Sequence, residues 1–158
     1  MSLVRSKAAE WNLDAKRIGI LGFSAGGHLA AATSTNFDKR AYEAMDDVDK
    51  ISSRPDFAVL IYPAYLITKD NKELAPDIRV TKDSPRTFFA HAGDDDGARP
   101  ENSVLMYLAL KRAGVPAELH VYATGKHGFG LRPGPEPCST WPDRCGDWLR
   151  NQGFLKRP

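Results

Sequence analysis

The sequence lacks two features that would place it in a membrane or on nucleic acid. Its longest apolar run, residues 57–67, is interrupted by Pro63 and is too short to cross a bilayer, so we expect no membrane partner. The 22 basic and 20 acidic residues are mixed along the chain, which gives a net charge of +2. Because they form no basic stripe, we expect no nucleic-acid partner either.

Cysteine is also scarce, with two among 158 residues, Cys138 and Cys145. Neither belongs to the Cys-x-x-Cys pattern of metal-binding proteins. Seven helical residues rise about 10 Å, which is too far for a disulfide, so we expect free thiols. Only an irregular loop between them would allow a bridge. The length predicts one domain over residues 1–158, in which residues 1–3 resemble a vector scar.

Strand and helix patterns alternate along the chain, without repeats or low-complexity tracts. Apolar runs predict strands over 17–21, 57–62, 87–91 and 117–122. Helical spacing predicts helices over 2–11, after Ser24, over 101–113 and over 141–154, with a short helix around 42–48. Residues 66–85 are polar and are expected to form an excursion or flap. The inward face of the 101–113 helix is expected to carry Val104, Leu105, Leu108 and Ala109.

This alternation predicts an α/β fold, a parallel sheet between two layers of helices. Ligands of such sheets bind at the carboxyl ends of the strands. Ser24, the carboxylates of residues 94–96 and His127 all follow predicted strand ends. We therefore expect these groups to converge at one edge of the sheet.

The segment Gly22-Phe23-Ser24-Ala25-Gly26 places one serine between two glycines, after a predicted strand and before an alanine-rich predicted helix. A serine nucleophile needs such a sharp turn, because the turn lifts its hydroxyl clear of the backbone and glycines avoid a clash. The N-terminus of the following helix helps to stabilise an anion beside the serine. We interpret the turn as a nucleophile elbow.

A serine hydroxyl is a poor nucleophile until a base takes its proton, and the base needs an orienting carboxylate. His127 lies in a glycine-flanked loop after the last predicted strand and is the best candidate base. The carboxylate comes from Asp94, Asp95 or Asp96, and spacing alone leaves all three open.

The other three histidines are expected to be structural. His120 lies within a predicted strand, His91 ends one and bonds local backbone, and His28 fixes the elbow. A divalent-metal site formed by the aspartates with His91 and His127 is a disfavoured alternative, because no ligand spacing is fixed. We expect neither a metal nor a cofactor.

The motifs, in order, resemble the α/β-hydrolase superfamily. They are Gly22-Phe23-Ser24-Ala25-Gly26-Gly27-His28, Tyr62-Pro63, His91-Ala92-Gly93-Asp94-Asp95, residues 101–103, residues 114–122 and His127-Gly128-Phe129-Gly130. The branch they resemble most is that of bacterial acetyl-esterase-like and feruloyl-esterase-like enzymes, with prolyl-oligopeptidase-type domains as more distant relatives. The resemblance implies that Ser24 is the nucleophile, His127 the base and Asp95 the acid, with the Ala25 N–H as an oxyanion donor.

The sequence departs from this family in two places. Asp96-Gly97-Ala98-Arg99 replaces the usual hydrophobic or proline-containing continuation of the acid loop. No His-Gly-Gly motif precedes Ser24, although the family uses one to supply further oxyanion donors. We expect a partial α/β-hydrolase fold that lacks the N-terminal half of the sheet. Its nucleophile strand would then lie at an edge and favour a homo-oligomer.

The resulting functional hypothesis is a serine esterase acting on short acyl esters, acetyl or feruloyl, of a small molecule or of a plant polysaccharide such as xylan. Two alternatives remain. One is a catalytically weak fragment that serves as an assembly or interaction module. The other is a serine peptidase similar to prolyl oligopeptidases.

Overall fold

The computed structural model describes residues 1–156. Its centre is a four-stranded parallel sheet in the order β1-β2-β3-β4. The strands are β1 (Ile20–Phe23), β2 (Phe57–Ile61), β3 (Arg86–Ala92) and β4 (Ala117–Tyr122). The helices are α1 (Ser2–Ser6), α2 (Ala25–Thr35), α3 (Glu101–Arg112) and α4 (Trp141–Asn151), with short 3-10 turns at Val48–Lys50 and Pro137–Thr140. The expected α/β fold is confirmed.

Each face of the sheet packs into its own apolar cluster. Along β2, alternate side chains enter opposite clusters, Ala58 and Leu60 on one side and Val59 and Ile61 on the other. Side chains of α2 and α3 complete the first cluster, and Trp141, Cys145 and Trp148 of α4 complete the second. A strand covered on both faces needs an uninterrupted apolar sequence, which is why the apolar run 57–62 predicted strand β2.

Strand β1, which precedes Ser24, lies at an edge of this sheet, as expected. Among residues 1–156, β1 forms its strand pairing with β2 alone. Its bounds differ from the predicted 17–21, because the Ile18 N–H bonds to the carboxylate of Asp56 and not to a neighbouring strand. The Phe57 ring also covers Gly19, where a Cβ atom would come within 2.2 Å of it.

Two helical predictions were too long. Helix α1 ends at Ser6 and gives way to turns, and the left-handed Asn12 (φ 54°) lies where the predicted helix was to end. Helix α4 ends at Asn151, three residues before the predicted end. The region around 42–48 has no α-helix, and only the 3-10 turn at Val48–Lys50 forms there.

The inward face of α3 was also predicted wrongly. Its buried residues are Asn102, Ser103, Met106 and Leu110, while Leu108 is exposed. The polar pair is buried because each side chain has a partner: Asn102 Oδ1 accepts from the Leu66 N–H, and Ser103 bonds His91. A count of apolar residues cannot anticipate such partners.

Residues 66–85 form an excursion without a regular helix or strand, with one isolated bridge between Ile67 and Leu74. The segment is anchored, because Leu66 and Ile78 are buried in the same cluster as α2 and α3. Both cysteines are free and buried, as predicted. Within residues 1–156, none of the helices has the length and apolar character needed to cross a membrane.

Candidate active site

Ser24 occupies a strained turn between β1 and α2. Its backbone angles are φ 52° and ψ −120°, a region that costs a non-glycine residue energy. The glycines on either side are required by space: a Cβ at Gly22 would lie 2.1 Å from the Gly26 carbonyl oxygen, and one at Gly27 would lie 2.8 Å from Pro63. Glycine is therefore needed at positions 22 and 27 for this turn to form without a steric clash.

The backbone around Ser24 is tied to β2 and to the residues that follow it. The Ser24 N–H donates to the Ile61 carbonyl at 3.1 Å. The Ser24 carbonyl accepts from the Ala64 N–H at 3.0 Å and from the His28 N–H at 3.2 Å. These bonds hold the hydroxyl at the carboxyl edge of the sheet.

His127 and Asp95 reach Ser24 from the loops that follow β4 and β3. Ser24 Oγ lies 2.8 Å from His127 Nε2, and His127 Nδ1 lies 2.8 Å from Asp95 Oδ2. An ionised carboxylate only accepts hydrogen bonds, so Nδ1 carries the proton and Nε2 is free to accept from the serine hydroxyl. This is the arrangement that lets an imidazole take the serine proton.

Of the three adjacent aspartates, Asp95 is the one placed against His127. It is 3% exposed, and its Oδ1 accepts from the N–H groups of Gly97 at 2.9 Å and Ala98 at 2.8 Å. Asp94 points elsewhere and accepts from the Lys126 N–H at 2.8 Å, while Asp96 is exposed. The departure after Asp95 in the sequence thus supplies two backbone donors to the carboxylate.

Two residues around His127 went unrecognised as contacts of the imidazole. A Cβ at Gly97 would lie 3.1 Å from His127 Cγ, so the absence of a side chain lets the imidazole approach. The ring of Tyr62 meets the imidazole edge-to-face at 5.1 Å between centroids and also packs edge-to-face against Phe129 at 4.5 Å. Burial raises the pKa of the Tyr62 hydroxyl. The Tyr62-Pro63 pair after β2 was the only sequence signal for this contact.

Beside Ser24, helix α2 begins at Ala25. The first N–H groups of a helix have no intrahelical acceptor and carry partial positive charge. The space next to Gly26 is open, because a Cβ added to this residue would meet no atom within 4 Å. An anion on the serine side of this turn would meet backbone donors of Ala25 and its neighbours.

The side chains of the other three histidines make their hydrogen bonds to residues other than Ser24 and His127. His120 Nε2 bonds Glu118 on β4 at 2.8 Å, as a structural role predicts. His91 is buried and bonds the Ala98 carbonyl, as expected. His28 does not fix the elbow through its side chain, because Nε2 reaches Asp77 at 2.7 Å and ties α2 to the 66–85 segment. Among residues 1–156, no three His, Cys, Asp or Glu side chains cluster in a way that would hold a metal ion.

A cavity of about 230 Å³ adjoins the imidazole and is lined in part by His127, Phe129, Arg132 and Cys138. Larger cavities lie away from Ser24; one of about 420 Å³ is at the amino ends of the strands. The cavity at His127 adjoins the imidazole, and neither Ser24 nor Asp95 lines it.

Comparison with known proteins gives a consistent result. An acetylxylan esterase from Xylanibacter ruminicola is 29% identical, in a match that covers 94% of this chain and 33% of that protein. The acetyl ester-xyloside bifunctional hydrolase from Caldicellulosiruptor lactoaceticus superposes with a TM-score of 0.87 at 36% identity, covering 98% of this chain and 63% of that one. An esterase from Thermogutta terrifontis gives a TM-score of 0.80 at 25% identity, with 98% and 62% coverage.

The chain thus spans about a third of the length of the acetylxylan esterase and less than two thirds of each structural neighbour. Residues 1–133 match the prolyl oligopeptidase family, which the motifs had indicated as a more distant relative than the acetyl esterases. Both the family match and the fold lie within the superfamily that the motifs resemble. The chain belongs to the prolyl oligopeptidase family of α/β-hydrolases.

Proposed function

We propose that this chain hydrolyses short acyl esters, with Ser24 as nucleophile, His127 as general base and Asp95 as the acid that orients the imidazole. The observation that carries the proposal is the continuous line of hydrogen bonds from Ser24 Oγ through both His127 nitrogens to Asp95 Oδ2, with both contacts at 2.8 Å. The burial of Asp95 strengthens the line, because the carboxylate is kept from water and fixed by two backbone donors.

In the first half of the reaction, Ser24 Oγ attacks the ester carbonyl carbon while its proton passes to His127 Nε2. The carbonyl oxygen becomes an oxyanion. The imidazolium then gives its proton to the departing alkoxide oxygen, the C–O bond to the alcohol breaks and an acyl-serine remains. In the second half, water repeats the attack with His127 as base, and the carboxylic acid and free Ser24 are released.

The Ala25 N–H, at the N-terminus of α2, is the proposed donor to the oxyanion. Loss of one of the two usual donors costs about 3–4 kcal/mol of transition-state stabilisation, or a hundredfold or more in rate. The sequence offers no His-Gly-Gly motif to supply the second.

For the substrate, we propose acetyl groups on xylan or a similar plant polysaccharide, with feruloyl esters as the alternative acyl group. The similarity to an acetylxylan esterase and to an acetyl ester-xyloside hydrolase supports acetyl. The cavity beside His127 is a suitable place for the alcohol part, since the imidazole must hand its proton to the alcohol oxygen.

The test is hydrolysis of p-nitrophenyl acetate by the chain and by its Ser24→Ala variant. Turnover that disappears in the variant supports the proposal, and equal rates for both proteins contradict it. Release of acetate from acetylated xylan, compared with ferulate from a feruloyl ester, then identifies the acyl group.

Peptide-bond hydrolysis is a second candidate, because the family match carries that activity in its name. The same nucleophile and base would serve it. A proline anilide added to the substrate panel separates the two: cleavage faster than that of p-nitrophenyl acetate would favour the peptidase.

Self-association through β1 is a separate proposal. The strand has an open edge among the described residues, and Leu21 on it is 50% exposed. Unpaired strand edges favour pairing with another strand. Light scattering should show a dimer that Leu21→Lys weakens; a monomer at all concentrations would contradict this, and the chain would then have no support as an assembly module.

A further inference from the structure

A buried histidine lies directly behind the carboxylate of Asp95. His91 is the penultimate residue of β3 and is 0% exposed. Its Nδ1 lies 2.8 Å from Ser103 Oγ on α3, and its Nε2 lies 2.6 Å from the Ala98 carbonyl oxygen and 3.5 Å from Asp95 Oδ2. The ester-hydrolysis chemistry proposed above does not use this residue.

These contacts fix the tautomer of His91. A carbonyl and a carboxylate both only accept, so the proton must be on Nε2, which donates to Ala98 and faces Asp95. Nδ1 then presents a lone pair, and the Ser103 hydroxyl donates to it. Burial lowers the pKa of His91, which favours the uncharged ring; the charged or titratable groups that influence it are Asp95 and His127.

The hydrogen bonds form a closed path through the acid loop. The Ala98 N–H donates to Asp95 Oδ1 at 2.8 Å, and the carbonyl of the same residue accepts from His91. His91 therefore holds the carbonyl of Ala98, while Asp95 Oδ1 accepts from the N–H of the same residue. Its own orientation is set by Ser103, which α3 supplies from the opposite side.

We propose that His91, oriented by Ser103, is a positioning residue that sets the carboxylate of Asp95 for its hydrogen bond to His127. This deepens the proposed function and rests on the roles given there to Asp95 and His127. The 3.5 Å contact to Asp95 is secondary to the bond with Ala98, which is the shorter of the two and fixes the loop that carries the donors to Oδ1.

Three variants separate positioning from mere stability. His91→Leu removes the donor, whereas His91→Gln places an amide N–H where Nε2 lies and should rescue much of the loss. For p-nitrophenyl acetate, His91→Leu should lower kcat by about tenfold to a hundredfold with KM unchanged, since a misplacement of about 1 Å costs about a hundredfold. Equal kcat in wild type, His91→Leu and His91→Gln would overturn the proposal.

Ser103→Ala provides a test if His91→Leu does not fold. Its expected effect is a severalfold fall in kcat, because Nδ1 loses the hydrogen bond that orients the His91 ring. The matched control is Ser34→Ala: Ser34 is also a fully buried helical serine, and its Oγ has no hydrogen-bond partner among residues 1–156. A fall in kcat for Ser103→Ala alone supports the proposal, and equal values for the two variants overturn it.

A readout without turnover keeps this proposal distinct from the proposed function. In the proton NMR spectrum, the His127 Nδ1–H bonded to Asp95 should give a low-field resonance, identified by its loss in His127→Gln. The resonance should move upfield or exchange away in His91→Leu and persist in His91→Gln. If the resonance changes in this way but the chain does not hydrolyse esters, the positioning role of His91 is supported and the proposed ester hydrolysis is contradicted. If it stays unchanged in an active chain, positioning fails alone.

Discussion

The two sides of Ser24 are built very differently. On the proton-transfer side, His127 and Asp95 are enclosed: the carboxylate is buried, it accepts three hydrogen bonds, and its loop is braced by His91. On the chain after Ser24, α2 begins at Ala25, and its first N–H groups have no intrahelical acceptor. The contact between His127 and Asp95 therefore lies within residues 86–130, whereas the proposed oxyanion donor, the Ala25 N–H, lies on α2. We expect substitutions at His127 and Asp95 to cost most of the rate.

The largest effect should come from His127→Gln, which removes the base. Hydrolysis of p-nitrophenyl acetate should fall by about a thousandfold or more, to the level that binding and backbone donors alone provide. The matched control is His120→Gln, since His120 also bonds a carboxylate at 2.8 Å but lies away from Ser24. The control should stay within about twofold of wild type. A comparable loss in both variants would contradict the assignment.

Next in size is Asp95→Asn. The new amide would donate to His127 Nδ1 and force the proton onto Nε2, which could no longer accept from Ser24; the expected loss is about 10³–10⁴-fold. Asp94→Asn and Asp96→Asn are the controls, because each removes one negative charge from the same loop without changing the contact with His127. Steady-state kcat/KM for the three variants decides the matter. A larger loss in either neighbour than in Asp95→Asn would mean that the acid is misassigned.

A smaller effect is expected from Gly97→Ala. The added Cβ would lie 3.1 Å from His127 Cγ and push the imidazole off its line to Ser24. The rate should fall by about tenfold to a hundredfold without loss of the fold. Gly134→Ala is the control, because no atom lies within 4 Å of its Cβ position. Circular dichroism checks folding, and full activity of Gly97→Ala would show that the approach of the imidazole is not limiting.

The smallest effect concerns stability and pH. Burial holds the pKa of His91 below its ordinary value of 6.5, so the unfolded chain binds a proton there before the folded chain does. The free energy of unfolding should therefore fall as the pH drops below 6.5, by at most about 1.4 kcal/mol per pH unit from this group. Above pH 6.5 the contribution is constant. Urea titrations at several pH values should show a shallower acid decline in His91→Gln than in wild type; identical slopes would contradict this.

Most strands and helices could be predicted from the sequence, and individual elements show why. Strand β4 was predicted at its observed bounds, because the run 117–122 lies between Pro116 and the Ala123-Thr124-Gly125 segment. Strand β1 was displaced because the Asp56 carboxylate, 38 residues away along the chain, takes the Ile18 N–H. The local sequence pattern can predict a strand that ends at a proline, but it cannot predict a hydrogen bond to a residue far away along the chain.

The site shows the same division. Ser24 and His127 follow from glycine-flanked turns after strands, and resemblance to a family selected Asp95 among three neighbours. The inward face of α3 was missed because it is polar: Asn102 and Ser103 are buried by virtue of partners on Leu66 and His91. A prediction from helix periodicity places polar residues such as these on the solvent-facing side of the helix. The bracing of Asp95 by His91 follows from tertiary contacts alone.

The most direct test of the central claim is covalent trapping with an organophosphate such as diethyl p-nitrophenyl phosphate, followed by peptide mass spectrometry. We expect one diethylphosphoryl adduct, on Ser24, that forms much more slowly in His127→Gln. An adduct on another residue, or labelling of Ser24 at the same rate without His127, would contradict the claim that these side chains act as one nucleophilic unit.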